Sequence, residues 1–299
     1  MRFGLVGTGP WAKMVHGPGL VAADQVDLVG VWGRSPDKAG AVAGELGVEA
    51  YDDYEALLGD VEAVAFAVPP EVQAELALKA ARAGRHLLLE KPVAVDVDAA
   101  RAVRDAARES GVASVVFFTD RFIDQSRAWF REVHSTEGWR GGWLRWFSSL
   151  QESDNPFGSS AWRKQRGALW DVGPHALSTL GAALGPIDSL TAVGGDSDLV
   201  MLVLRHESGV TSTVSLTAFA PPAAQGFEAA VWGEAGVVHM PLRPEGPAEE
   251  PFAAAAEELV AAAGGSTPHE VDVAFGTHIV ELLADAQAQL DAAHAPAAG

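Results

Sequence analysis

Three groups of residues have the types and spacing to do chemistry. The first is Gly7-Thr8-Gly9-Pro10-Trp11-Ala12, a G-x-G-x-x-A run directly after the first apolar stretch. Gly7 permits a tight turn, Gly9 lets backbone approach a pyrophosphate, and Ala12 lets a following helix pack closely on its strand. That helix turns its N–H groups and positive end toward the phosphates. The second group is Glu90-Lys91-Pro92, where an ammonium group can hydrogen-bond a substrate oxygen and stabilise charge that develops on it. The alternative for Lys91 is a simple pairing with Glu90. The third is Asp171-Val172-Gly173-Pro174-His175. An imidazole suits proton transfer near neutral pH, and a carboxylate four residues earlier could orient it. The alternative is a helix-capping Asp171 beside a packed His175.

The tip of the second apolar run, Val31-Trp32-Gly33-Arg34-Ser35, bears on which dinucleotide is held. Enzymes that take NAD usually carry an acid there for the ribose hydroxyls. Here Arg34 can pair with a 2′-phosphate and Ser35 can donate to it, so NADP(H) is favoured over NAD(H). The alternative is a solvent-facing Arg34 with Ser35 capping the next helix. Val68 and Pro69, with Glu90 and Lys91, complete the candidate contacts to the cofactor.

These residues need elements to carry them. Residues 1–119 alternate apolar runs (Phe3–Val6, Val26–Trp32, Val61–Val68, His86–Glu90, Ala113–Thr119) with helical patterns near 10–23, 36–46, 71–83 and 96–110. Continuous apolar runs are expected of parallel strands covered on both faces. The order predicts an α/β Rossmann domain with a doubly wound parallel sheet, whose carboxyl edge is where ligands sit. Lys91, directly after the fourth run, falls on that edge. From residue 120 to 299 the pattern changes to α+β. Helices are expected near 124–133 and 171–184, then five strand-like runs between Leu190 and Met240, then helices near 251–263 and 270–292. A large antiparallel or mixed sheet follows from that order. Glu207-Ser208-Gly209 and Gly233-Glu234-Ala235-Gly236 look like hairpin turns.

Taken in order and separation, the three motifs resemble those of the glucose–fructose oxidoreductase/inositol dehydrogenase/rhizopine-catabolism family. The similarity extends over nearly the whole chain and includes His16 with Pro18 and the closing Val271–Gly276 segment. The resemblance implies Lys91 and His175 as catalytic residues with Asp171 assisting. It also implies a sugar, cyclitol or related diol as substrate, and an open C-terminal sheet that makes a homodimer or homotetramer. Arg166-Gly167-Ala168 stands where many members have a longer glycine run. A dinucleotide-sensing regulatory protein of the same fold is the rival reading, opposed by the presence of all three chemical residues.

Composition sets the outer limits. Lys and Arg number 21 against 40 Asp and Glu, a net charge of −19 that opposes nucleic acid and anionic membranes as partners. There are no cysteines, which removes disulfides and thiolate chemistry and fits a cytoplasmic setting. The histidines lack ligand spacing, so no metal is expected. Six of the nine tryptophans lie between Trp129 and Trp170, and most are expected to pack. Trp162 and Arg163, read as part of a loop before Asp171, are candidate substrate contacts, as is Arg121.

Overall fold

A computed structural model of the chain describes residues 1–149, 161–244 and 246–294. They divide into two compact units: residues 1–122 with 246–280, and residues 123–244 with 281–294. The expected boundary at 119/120 lies three residues from the first crossing. The return of 246–280 to the first unit was not foreseen, because nothing in a helical pattern tells which sheet it will cover.

The first unit is built on six parallel strands in the order β3-β2-β1-β4-β5-β6. They are β1 (Arg2–Val6), β2 (Asp27–Trp32), β3 (Glu49–Tyr51), β4 (Ala63–Phe66), β5 (His86–Glu90) and β6 (Ser114–Phe117). The direction of winding reverses between β1 and β4, the crevice where such sheets take ligands. Phe3, Leu5, Ala63–Phe66 and Leu87–Leu89 are fully buried, which explains the unbroken apolar runs. Helices α2 (Pro36–Leu46), α3 (Tyr54–Asp60), α4 (Pro70–Arg82) and α5 (Val97–Ser110) connect the strands. Ser35 accepts the Lys38 N–H at the start of α2, and Gly47, with φ 71°, ends it. The first helical pattern is not uniform. A π-helical turn (Ala12–His16) precedes α1 (Gly17–Ala22). The short pair β3 and α3 was missed by sequence reading: two of the three β3 residues are exposed, so no apolar run marks it.

The returning segment supplies α9 (Glu250–Gly264), which packs on α1, β5 and β6. Its approach to α1 is close: a methyl on Gly19 would meet the Glu249 carbonyl at 2.9 Å. Val271 extends this cover by accepting the Val116 N–H of β6. Helix α10 (Val273–His294) begins in the first unit and ends in the second.

The second unit carries a six-stranded mixed sheet in the order β12-β11-β7-β10-β9-β8. Its strands are β7 (Trp139–Phe147), β8 (Ile187–Gly194), β9 (Val200–His206), β10 (Thr211–Thr217), β11 (Gly226–Gly233) and β12 (Gly236–His239). Among the described residues of this sheet only β7 and β10 pair in parallel; both expected hairpins are present. Alternation sorts the faces. Leu144, Leu202, Leu204, Val214 and Leu216 are buried. Helices α7 (Ala161–Asp171) and α8 (Gly173–Leu184) pack on β7 and β10, and α6 (Asp124–His134) packs on α8. The opposite face leaves Val193, Met201, Val203, Trp232 and Val237 about half exposed.

Candidate active site

The glycine turn begins where β1 ends. Gly7 has φ 132°, and an added methyl would lie 2.4 Å from the Ala67 carbonyl just past β4. No other residue type suits that position. Gly9 differs: a methyl there would meet no atom within 4 Å. The turn is closed by protein at Gly7 and open at Gly9, which is the arrangement a pyrophosphate needs. Thr8 packs against the tip of β2, where a methyl on Gly33 would lie 2.6 Å from its Cγ2. Ala12 is fully buried, as close helix–strand packing requires. Pro10 and Arg34 are exposed, while Trp11, Ser35 and Val68 are half-buried and Pro69 begins the approach to α4. The residues fit a bound dinucleotide.

Glu90 and Lys91 leave the same carboxyl edge at the end of β5. The Lys91–Pro92 bond is cis. Three partners fix the backbone around it. Glu90 Oε2 accepts the Lys91 N–H at 3.1 Å. The fully buried Gln73 side chain accepts the Glu90 N–H at 2.8 Å and donates to the carbonyls of Glu90, Pro92 and Val93. His16 Nε2 lies 2.9 Å from Glu90 Oε1. His16 is itself fully buried and stacked on Phe252 of α9, with ring centroids 3.9 Å apart. Gln73 escaped sequence reading. Its only signal is a polar residue on the apolar face of α4, beside Ala74 and Ala77.

Asp171 and His175 belong to the second unit. Their surroundings correct two expectations. Asp171 does not cap α8; it closes α7, and Val172 takes the cap position without a side-chain bond. Helical hydrogen bonds run through the junction, from Val172 N–H to Ala168 and from Ala176 N–H to Val172. Trp162 lies in α7 rather than in a loop; the Arg163 side chain is outside the described residues. Helix α7 breaks at Gly167 (φ 65°, ψ −168°). His175 is 7% exposed, and the Trp146 ring stands beside it with centroids 5.7 Å apart. Trp170 is buried, donates to Gln287 Oε1 at 3.1 Å and lies under the Arg166 guanidinium, so it packs as expected. Arg121 is nearly buried, and its guanidinium pairs with Glu270 at 2.8 Å within the first unit. Among the described residues no group of three or more His, Asp or Glu side chains could hold a metal.

A doubly wound sheet with an open glycine turn at its switch point defines a dinucleotide-binding domain of the Rossmann class. The chain belongs to the GFO/IDH/MocA oxidoreductase family. The family model described as an oxidoreductase family with an NAD-binding Rossmann fold matches residues 1–118, and the GFO/IDH/MocA C-terminal domain matches residues 140–239. The chain is 32% identical to a D-xylose 1-dehydrogenase (NADP(+)) of Haloferax volcanii over 228 residues, 72% of this chain and 68% of that protein. It is 28% identical to an inositol 2-dehydrogenase of Rhizobium meliloti over 227 residues, 72% of this chain and 68% of that one. Across eight curated relatives the matched stretch spans 34% to 68% of the relative's length. The solved UDP-N-acetylglucosamine 3-dehydrogenase of Acidithiobacillus ferrooxidans shares the fold, with a TM-score of 0.80, 19% identity and 98% of both chains covered.

Proposed function

We propose that this oxidoreductase transfers a hydride between NADP(H) and the carbon of a secondary alcohol on a sugar, cyclitol or related diol. The observation that carries the reading is the coupling of the glycine-turn helix to the Glu90-Lys91-Pro92 segment through His16 and Glu90 at 2.9 Å. It ties the residues that would hold phosphate to the residue that would polarise substrate.

The nicotinamide supplies the carbon that accepts or returns the hydride. Everything else falls to the backbone and side chains of this chain. Gly7 through Ala12 hold the pyrophosphate. Gly33, Arg34 and Ser35 receive the ribose and its 2′-phosphate, and Val68, Pro69, Glu90 and Lys91 border the ring. Lys91 donates a hydrogen bond to the reacting substrate oxygen and steadies its developing charge. His175 accepts the hydroxyl proton during oxidation and returns it during reduction, with Asp171 orienting the imidazole. Trp162, Arg163 and Arg121 are the candidate substrate contacts. The NADP(+) named for the xylose-oxidising relative supports the dinucleotide choice, and the sugar and cyclitol named for two relatives support the substrate class. The half-exposed apolar residues of the second sheet support a homodimer or homotetramer formed through that face. No helix among the described residues is long and apolar enough to cross a membrane. The cysteine-free composition supports a cytoplasmic setting.

The test is a panel of sugars, cyclitols and aromatic diols, followed by nicotinamide absorbance with both dinucleotides. Turnover with NADP(H) that shifts toward NAD(H) in Arg34→Ala is the expected result. Tight dinucleotide binding without turnover of any panel member would favour the sensing protein instead. A preference for NAD(H) in both the native enzyme and Arg34→Ala would remove the NADP(H) assignment.

A further inference from the structure

The turn between β8 and β9 holds the one non-glycine residue with positive φ among the described residues, Ser197 at 58°. A left-handed serine is unfavourable and persists only where its surroundings enforce it. Two backbone bonds close this turn, Gly195 N–H to Leu199 and Leu199 N–H to Asp196, and Asp196 Oδ1 accepts the Ser197 N–H. The result is to aim Asp198 inward. Its carboxylate then gathers donors from two other segments. Oδ1 accepts from the Thr217 hydroxyl at the end of β10. The Ala218 N–H approaches both oxygens, at 2.9 and 3.2 Å. Oδ2 accepts the Ala168 N–H at 3.1 Å.

Ala168 is the residue directly after the break at Gly167. Its carbonyl accepts the Val172 N–H, so it begins the helical turn that carries Asp171 and leads into α8. A carboxylate on that amide stabilises the start of a helical turn both as an acceptor and against the helix dipole. We propose that Asp198 is a positioning residue that clamps the Gly167–Ala168 break to the end of β10 and so fixes the placement of Asp171 and His175. The inference rests on the reading of those two residues as the proton-transfer pair. The glycine supplies a joint, and the carboxylate locks it.

The full chain carrying Asp198→Asn tests this, with Thr217→Val as a milder variant that removes one donor to the carboxylate together with the acceptor of the Phe219 N–H, and His175→Asn as control. Three quantities are read: hydrogen exchange of peptides covering 165–175 and 200–206, turnover on the best substrate of the panel, and dinucleotide affinity from tryptophan fluorescence. In Asp198→Asn, exchange at 165–175 should rise about tenfold while 200–206 stays protected. Turnover should fall by up to about a hundredfold, the cost typical of a misplaced catalytic group. Dinucleotide affinity should stay within about twofold, since no residue assigned to it lies in this unit. Thr217→Val should move the same quantities in the same direction by less. Unchanged exchange at 165–175 in both variants overturns the clamp. Faster exchange with full turnover, where His175→Asn is inactive, overturns the positioning role. Full turnover in His175→Asn as well would mean that the proton-transfer reading itself has failed, and the positioning role with it. A general loss of exchange protection and dinucleotide binding in Thr217→Val would reduce Asp198 to a purely structural part.

Discussion

His16 and Glu90, 74 residues apart in sequence, meet at 2.9 Å with the imidazole fully buried and the carboxylate nearly so. The histidine belongs to the helical turn after the glycine loop, and the glutamate precedes Lys91. A hydrogen bond to a charged group in such a place is worth more than an average one, and losing one partner leaves the other desolvated. His16→Leu should therefore lower the stability of the chain by about 2 kcal/mol, read by urea unfolding, with His16→Gln recovering part of it. A leucine variant as stable as the native chain would show that the pair adds nothing to the fold.

The two glycines of the turn should separate folding from binding. Gly7→Ala forces a methyl to within 2.4 Å of the Ala67 carbonyl at φ 132°, so it should cost about 2 kcal/mol or more of stability. Gly9→Ala places its methyl with no protein atom within 4 Å, so its unfolding midpoint should hardly move. Its side chain would instead fill the space assigned to phosphate, and dinucleotide affinity should fall by about tenfold or more. Calorimetry with and without NADPH distinguishes the two, and equal behaviour of the variants would contradict the assignment of the opening.

Lys91→Ala should reduce turnover by about a hundredfold or more, as removal of a transition-state donor does. Steady-state kinetics across the substrate panel is the measurement. A fully active alanine variant would exclude Lys91 from the chemistry.

Acid should destabilise the chain through two histidines. His86 and His206 both titrate below the ordinary imidazole value of 6.5, chiefly because burial penalises the charged ring. His86 Nδ1 accepts the Ala113 N–H at 2.9 Å, a bond that protonation ends. His206 lies between the Gly185 carbonyl and the Ser212 hydroxyl. A lowered value in the fold means that the unfolded chain takes up the proton first as pH falls. The stabilisation is complete above pH 6.5 and is lost as pH drops through the folded values, at up to about 1.4 kcal/mol per pH unit for each ring. Unfolding midpoints between pH 7.5 and 5.0 should show the slope, and His206→Gln should flatten it.

Much of this was legible in the sequence. The continuous runs of β1, β4 and β5 announce strands covered on both faces, and the spacing of Gly7, Gly9 and Ala12 places a turn where β1 ends. Alternation in β9 and β10 marks a sheet with one buried face. What stayed hidden depends on tertiary contact. Gln73 acts through three backbone carbonyls that only folding brings to it. Asp198 sits in a polar turn whose sequence, Gly194-Gly195-Asp196-Ser197-Asp198, reads as ordinary loop. Asp171 has the residue type of a helix cap, yet the chain runs helically through it and the cap falls on Val172.

The departure of the chain after residue 122 and its return at 246 bear on biosynthesis. When β6 leaves the ribosome, the parallel sheet has all its strands but lacks α9, so His16 and Phe117 have no Phe252 to cover them. More than a hundred residues must be made before that lid exists. A fragment ending at 122 would carry every phosphate-binding residue and still expose an aromatic floor, which makes it a poor candidate for independent expression. Joining 1–122 to 246–280 by a linker would supply the missing helix in a module about half the size of the whole.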